Sequence, residues 1–88
     1  MRKTHERAAM NLMAGKQGRI SARDRIEGGE WYYHGSPIVK VAADGVRPKV
    51  YVNWHGWYTP STRDRLYALC AYLGVPRPEK KEGWIRVA

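Results

Sequence analysis

Residues 31–42 read WYYHGSPIVKVA, which is the pattern of a β-hairpin. The aromatic run Trp31–Tyr33 has high strand propensity, and Ile38–Ala42 is apolar and β-branched except at Lys40. The four residues between these runs, His-Gly-Ser-Pro, are typical of a turn. We therefore predict two antiparallel strands joined at residues 34–37.

The segment that follows predicts a third strand. Asp44-Gly45 is a hairpin signal. In Pro48–Trp54 the apolar side chains of Val50 and Val52 alternate with more polar neighbours, which favours a half-buried strand. Together with the first hairpin this gives a three-stranded antiparallel meander.

The flanking segments extend this prediction less strongly. Arg19–Arg23 allows a further short strand, and residues 24–30 contain Gly28-Gly29, which we interpret as a flexible break. Trp84–Val87 is expected to add a closing strand. The predicted fold class is α+β, with an antiparallel sheet of three to four strands and one amphipathic helix packed on it.

The start of that helix has two interpretations. Thr59 is a good N-cap with Pro60 in the first helical position, or Ser61 caps and Asp64 completes a capping box. The apolar side chains recur at helical spacing, at Leu66, Leu69, Cys70 and Leu73. This stripe is expected to pack on the sheet, so Cys70 is interpreted as a core residue rather than a nucleophile. Gly74 should end the helix.

A short helix is also predicted over Thr4–Ala14, which leads to Gly15 at its C-terminal end. With only three turns it must dock on something to be stable. We expect it either to dock at a sheet edge or to remain a mobile basic arm. The predicted organisation is therefore a basic N-terminal helix or arm over residues 1–18 and a single small domain over residues 19–88.

Charge and aromatic content point to a phosphate-bearing partner. The 88 residues include 16 Lys and Arg against eight Asp and Glu, a formal charge of +8. Four Trp and six Tyr are present and no Phe, so every aromatic side chain carries a polar group. Basic side chains attract a phosphate backbone and rings stack on bases, so the expected partner is nucleic acid, DNA or RNA, or an acidic host protein that imitates it.

The sequence offers no convergent catalytic or metal-binding set. His5, His34 and His55 match no paired ligand spacing, and Cys70 is the single cysteine, so an intrachain disulfide is excluded. The carboxylates of the segment 24–30 stand beside arginines and are interpreted as solvated charge balance. We expect a protein that is not an enzyme and has neither cofactor nor metal.

Targeting signals are also lacking in the sequence. The basic N-terminal residues are followed by no apolar run, and no segment approaches the ~18 apolar residues of a membrane span. We therefore expect a cytoplasmic protein without a membrane partner.

The best candidate site is the segment from Asn53 to Arg65, in which aromatic residues lead into a helix N-terminus that favours anions. The predicted binding residues are Arg47, Lys49, Trp57, Tyr58, Arg63 and Arg65. Diffuse phosphate contacts are expected from Arg2, Lys3 and Arg7. The alternative interpretation of this segment is a structural corner. Trp54 alternates with Val50 and Val52 and is therefore predicted to belong to the core.

From Gly56 to Leu66 the chain resembles small uncharacterised phage-encoded accessory proteins. These also pair a short aromatic hairpin, as in Trp31–Gly35, with a Gly-Trp-x-Thr-x-Thr-like entry to a final helix. The resemblance covers about Met10 to Gly74 and brings no known activity with it. It implies a small accessory protein of a bacterial virus, which would act in the host cytoplasm on DNA or on a host enzyme or defence complex.

The predicted order of helix, three strands and helix also resembles a double-stranded-RNA-binding domain. Arg63 and Arg65 occupy its basic second-helix start. The lysine-rich helix start of that family is missing, however, and the strand at Trp84 is additional, so the resemblance concerns topology alone.

Three functions follow from these observations. The first is a non-enzymatic accessory protein that binds nucleic acid through a basic and aromatic surface. The second is a protein-directed inhibitor of host transcription, replication or defence machinery, which would use the same aromatic corner as a hot spot. The third is a structural or homo-oligomeric virion-associated role.

Overall fold

The computed structural model describes residues 3–43 and 45–88. Two helices and six strands follow one another along the chain: α1 (Lys3–Met13), β1 (Gly18–Arg19), β2 (Asp24–Glu27), β3 (Glu30–Tyr33), β4 (Ser36–Ala42), β5 (Lys49–Asn53), α2 (Pro60–Leu73) and β6 (Trp84–Arg86). Asp44 of the predicted Asp44-Gly45 turn lies outside the described residues, as does Arg2 of the predicted phosphate contacts.

The strands form one antiparallel sheet in sequential order, β1 to β6. The α+β class is confirmed, but the predicted count of three to four strands is wrong. The reason is Gly28-Gly29, which is a tight turn rather than a flexible break. Both glycines have positive φ, 58° and 75°, as a two-residue hairpin turn requires, so β2 and β3 pair directly.

The turn predicted over residues 34–37 is shorter than expected: His34 and Gly35 form it with the same geometry, and Ser36 and Pro37 already belong to β4. His34 has a φ of 52° and Gly35 a φ of 77°, and this turn joins β3 to β4. The register then shifts, because Trp31 pairs with Val39 while Tyr32 pairs with Pro37. The extra residue of this β-bulge is Ile38, and both Ile38 and Val39 are fully buried.

Both helices cover the same face of the sheet, which corrects the prediction of one packed helix. Helix α1 packs against α2, β2 and β3. Its small residues Ala8 and Ala9 are fully buried and permit this close approach, and Leu12 joins them in the core. The largest core side chains from the sheet and from α2 are Trp31, Trp54, Ile38, Leu66 and Leu69.

Helix α2 begins and ends where local sequence predicts. The Thr59 hydroxyl accepts a hydrogen bond from the Thr62 amide at 3.4 Å, so the first of the two predicted caps is the one observed. Gly74 closes the helix in the left-handed conformation. Cys70 is fully buried, as its place in the apolar stripe predicts.

Candidate nucleic-acid interface

Among residues 3–43 and 45–88, no helix covers one face of the sheet, and many of its side chains are basic or aromatic. Alternation along each strand sends the core residues to the helix side and their neighbours to the other side. We call this second side the open face. Its charged and aromatic members are Arg19, Arg25, Glu27, Glu30, Tyr32, Lys40, Lys49, Tyr51, Trp84 and Arg86.

The strand register brings these side chains into rows across the sheet. Lys40 of β4 pairs with Tyr51 of β5, which pairs in turn with Arg86 of β6. In the same way Arg25 of β2 lies opposite Tyr32 of β3. Tyr51 thus lies between Lys40 and Arg86, and Tyr32 lies beside Arg25, at the spacing of neighbouring strands.

Trp84 is the most exposed ring of the open face. The Lys40 ammonium lies 4.5 Å from the centroid of the Trp84 ring and 5.4 Å from that of Tyr51. Trp84 is 37% exposed although its ring packs against this cation. The ammonium therefore lies over one face of the ring, and part of the ring remains exposed next to this positive charge.

A second His-Gly turn brings the His55 ring close to both Trp57 and Trp84. His55 and Gly56 have φ values of 55° and 74°, and the Trp57 amide donates to the Trp54 carbonyl at 2.9 Å. The His55 ring lies 5.5 Å from that of Trp57 and 6.4 Å from that of Trp84.

This histidine is held by the strand beneath it. Its Nε2–H donates to the Pro37 carbonyl of β4 at 2.5 Å, and its backbone amide donates to Asn53 Oδ1 at 2.9 Å. The turn between β5 and α2 is therefore fixed against the sheet, and Trp57, which is 38% exposed, extends the open face.

At the other end of the open face the sheet curls into a groove of about 750 Å³, which we call the arginine groove. It is lined by Gln17, Gly18, Arg19, Ser21, Ala22, Arg23, Asp24, Arg25, Ile26, Glu27, Tyr32, His34 and Gly35. The Arg25 guanidinium stacks 4.3 Å from the centroid of the Tyr32 ring. The Tyr32 hydroxyl donates to Glu30, and this hydrogen bond raises the pKa of Tyr32.

Asp24, which is one of the residues that line the arginine groove, belongs to a buried ion pair. Asp24 accepts from Arg65 Nε at 2.7 Å and from Arg65 Nη2 at 2.9 Å, and it also accepts from Trp31 Nε1 and from the Ser21 hydroxyl. Burial alone would raise the pKa of Asp24. The hydrogen bonds from Arg65, Ser21 and Trp31, with the charge of Arg65, outweigh it and hold the pKa below its ordinary value.

This pair overturns two expectations. Asp24 is 2% exposed, so it is not solvated charge balance. Arg65 is 7% exposed, and its guanidinium lies 3.8 Å from the centroid of the Tyr33 ring, so this arginine is committed to the core. The helical period places Arg65 on the inner face of α2, beside Leu66 and Leu69. An arginine is normally expected on the outer face of a helix, so the residue type gave no indication of this burial.

The other predicted site residues are spread over the molecule. Arg63 is exposed on α2, on the helix side of the sheet, and pairs with Asp64 at 3.4 Å. Arg47 is exposed, whereas Lys49 lies on the open face. Tyr58 is 40% exposed and packs against Trp54, which is buried as its alternation with Val50 and Val52 predicts.

The two described residues of the predicted phosphate-contacting arm lie on α1. Lys3 is exposed, and Arg7 Nη2 donates to the Ile20 carbonyl at 2.7 Å. Arg7 therefore ties α1 to the loop after β1, although its side chain remains at the surface.

Sequence reasoning missed most of the open face. Lys40, Tyr51, Trp84 and Arg86 stand at alternating strand positions, and that period was the available signal. The alternation alone does not show which residues of different strands lie together. The register of the strands does, because it brings the polar positions of four strands to one side of the sheet.

Neither a metal cluster nor a spanning helix is found in the part of the chain that the structure describes. Within residues 3–43 and 45–88, no three His, Cys, Asp or Glu side chains come together in a way that would hold a metal ion. Neither of the helices described there is long and apolar enough to cross a membrane. No protein-family model, curated protein or solved structure matches this chain.

Proposed function

We propose that this protein binds single-stranded nucleic acid, DNA or RNA, through the open face, without catalysing a reaction. The observation that carries the proposal is the Trp84 ring, half-exposed on the sheet with the Lys40 ammonium 4.5 Å away. A base can stack on the ring when the ammonium moves from the ring face to the adjoining phosphate.

The composition of the whole face supports the same partner. Its described charges comprise five Lys and Arg against two Glu. Rings on an antiparallel sheet stack successive bases without reading their sequence, and each stacked base contributes about 1–3 kcal/mol. Sequence-tolerant, salt-dependent binding is therefore the expected behaviour.

A single strand fits this face better than a duplex does. The rings lie on the surface of a sheet, so only bases that are already unstacked can reach them. A duplex offers its phosphates to the lysines and arginines but keeps its bases out of reach. The role of a small phage accessory protein, implied by the resemblance at Gly56–Leu66, is part of this proposal.

The corner between β5 and α2 favours a second candidate, a host protein as the partner. Trp57 and Tyr58 are 38% and 40% exposed there, and exposed aromatic residues are frequent hot spots of protein interfaces. This candidate predicts a one-to-one protein complex that depends on Trp57, together with weak binding of nucleic acid.

The test is a fluorescence titration with an oligonucleotide as a single strand and as a duplex, at low and physiological salt. Trp84→Ala should weaken single-strand binding by about 1–3 kcal/mol, the contribution of one stacked base. Tyr72→Ala is the matched control, since Tyr72 is 47% exposed on α2, away from the open face.

A second pair of variants separates the open face from the helix start. Arg86→Ala should weaken binding and reduce the salt dependence, whereas Arg63→Ala should leave both unchanged. Equal effects of Trp84→Ala and Tyr72→Ala, or binding that vanishes at physiological salt, would contradict the proposal.

A further inference from the structure

We infer that the arginine groove is a phosphate-binding site, and that it holds a phosphate group of the strand lying on the open face. The inference rests on the proposed function and adds the site at which the protein binds the backbone of the nucleic acid. It is carried by the charge, the rigidity and the position of the groove.

The groove carries a positive charge that its own acidic residues do not fully neutralise. Of its acidic residues, Asp24 is neutralised by Arg65, and Glu27 pairs with Arg25 at 3.2 Å. Arg23 is exposed, and its guanidinium makes neither a hydrogen bond nor an ion pair with any of the described residues. The planar fork of an arginine matches two phosphate oxygens, so Arg23 is the side chain best placed to receive one.

The loop that carries Arg23 is fixed in advance. The Ser21 hydroxyl accepts from the amides of Arg23 and Asp24 at 3.2 and 3.1 Å, and it donates to Asp24 Oδ2 at 2.7 Å. The loop is thereby tied to the buried pair with Arg65. A ligand that binds Arg23 does not have to order this backbone, which lowers the cost of binding.

The groove is continuous with the open face. Arg25 and Tyr32 belong to both, and Trp84 on β6 lies four strands away from β2. At about 4.8 Å per strand the separation is roughly 19 Å. A short strand that crosses the sheet can therefore place a base on Trp84 and a phosphate in the groove, within the range of about 4–16 nucleotides for sheet-based binders.

The size of the groove favours a phosphate over an acidic protein segment. Its volume of about 750 Å³ lies within the roughly 300–1,000 Å³ of small-ligand sites. That space accommodates a phosphate and its sugar beside the Tyr32 ring. An acidic peptide is the competing occupant and is included in the test.

The experiment uses three oligonucleotides of one sequence, with a 5′-phosphate, a 3′-phosphate or neither. Each is titrated against the wild-type chain, Arg23→Ala and the control Arg63→Ala, which also removes an exposed arginine. Loss of Arg23 should weaken binding about tenfold, the effect of losing one charge-assisted hydrogen bond. It should also reduce the slope of log K against log salt by about one.

The three oligonucleotides distinguish the sources of the phosphate. A preference of the wild-type chain for one phosphorylated end, lost in Arg23→Ala, would place a terminal phosphate in the groove. An equal loss for all three would place an internal phosphate there. Both results support the inference.

Two results would overturn it. One is unchanged affinity and salt slope in both Arg23→Ala and Arg19→Ala, while Trp84→Ala still weakens binding. The other is a shift of the arginine Nε–H signals in NMR spectra on addition of a polyglutamate peptide but not of inorganic phosphate, AMP or the oligonucleotides. If AMP shifts those signals and no oligonucleotide binds, the phosphate site stands and the proposed function fails.

Discussion

Arg65 of α2 and Asp24 of β2, 41 residues apart in the chain, form a bidentate ion pair with N–O distances of 2.7 and 2.9 Å. Arg65 also donates to the Ser61 carbonyl at 2.9 Å, and the Trp31 indole donates to Asp24 at 2.9 Å. The pair therefore joins the second helix to the strand that carries the arginine groove. Both partners are buried, so the link lies inside the fold.

Breaking this pair should destabilise the fold strongly. Arg65→Met leaves the Asp24 carboxylate buried without its counter-ion, and such a change costs about 3–5 kcal/mol. Arg65→Lys should recover only part of this, because an ammonium cannot donate in bidentate fashion. Urea unfolding followed by circular dichroism measures both. Arg63→Met, an exposed change two residues away, should stay within about 0.5 kcal/mol, and a similar loss in both methionine variants would contradict the argument.

Acid should weaken the fold through Asp24. Because its folded-state pKa lies below the ordinary 3.8, the folded protein binds this proton more weakly than the unfolded chain does. The stabilisation is complete above the unfolded pKa and is lost as the pH falls through the folded one. The urea concentration at which half of the protein is unfolded should therefore decrease when the pH is lowered below about 4. Titration of the Asp24 carboxyl carbon by NMR checks the cause, and a midpoint at or above 3.8 would disprove it.

Cys70 should be unreactive while the protein is folded. Burial raises the pKa of its thiol to about 11, so the thiol stays protonated near neutral pH. Its side chain is also fully buried, so a reagent cannot reach it. Because it is the single cysteine of the chain, labelling reports on it directly. A thiol reagent at pH 8 should modify the native protein only at the rate of its unfolding. Labelling in denaturing urea is the control, and equally fast labelling in both states would refute the prediction.

The turn at His34 should tolerate asparagine but not valine. Its φ of 52° is left-handed, a conformation that asparagine adopts readily and β-branched residues avoid. His34→Val should cost roughly 1–3 kcal/mol, the range for such strain. His34→Asn removes the same ring yet should leave the urea midpoint unchanged or higher. Equal destabilisation by both variants would assign the effect to the lost ring, which lies 4.4 Å from Tyr33.

Features that depend on near neighbours were predictable. The apolar stripe of α2 and the His34-Gly35 part of the predicted turn involve residues within a few positions of one another, so propensity and spacing are enough to place them. For the start of α2 they left Thr59 and Ser61 open, and the structure selects Thr59. Gly28-Gly29 was equally local but ambiguous. A glycine pair permits both a flexible break and a tight turn, and only the pairing of β2 with β3 decides between them.

Composition and local pattern thus determined the α+β class, the second helix and the presence of basic and aromatic side chains suited to a phosphate-bearing partner. Where those side chains meet was decided by the tertiary structure. Strand register sets Lys40 beside Tyr51 and Trp84, and helix packing draws Arg65 away from the predicted site and onto Asp24. Contacts between distant residues form only when the chain closes around one core, so no local window of the sequence contains them.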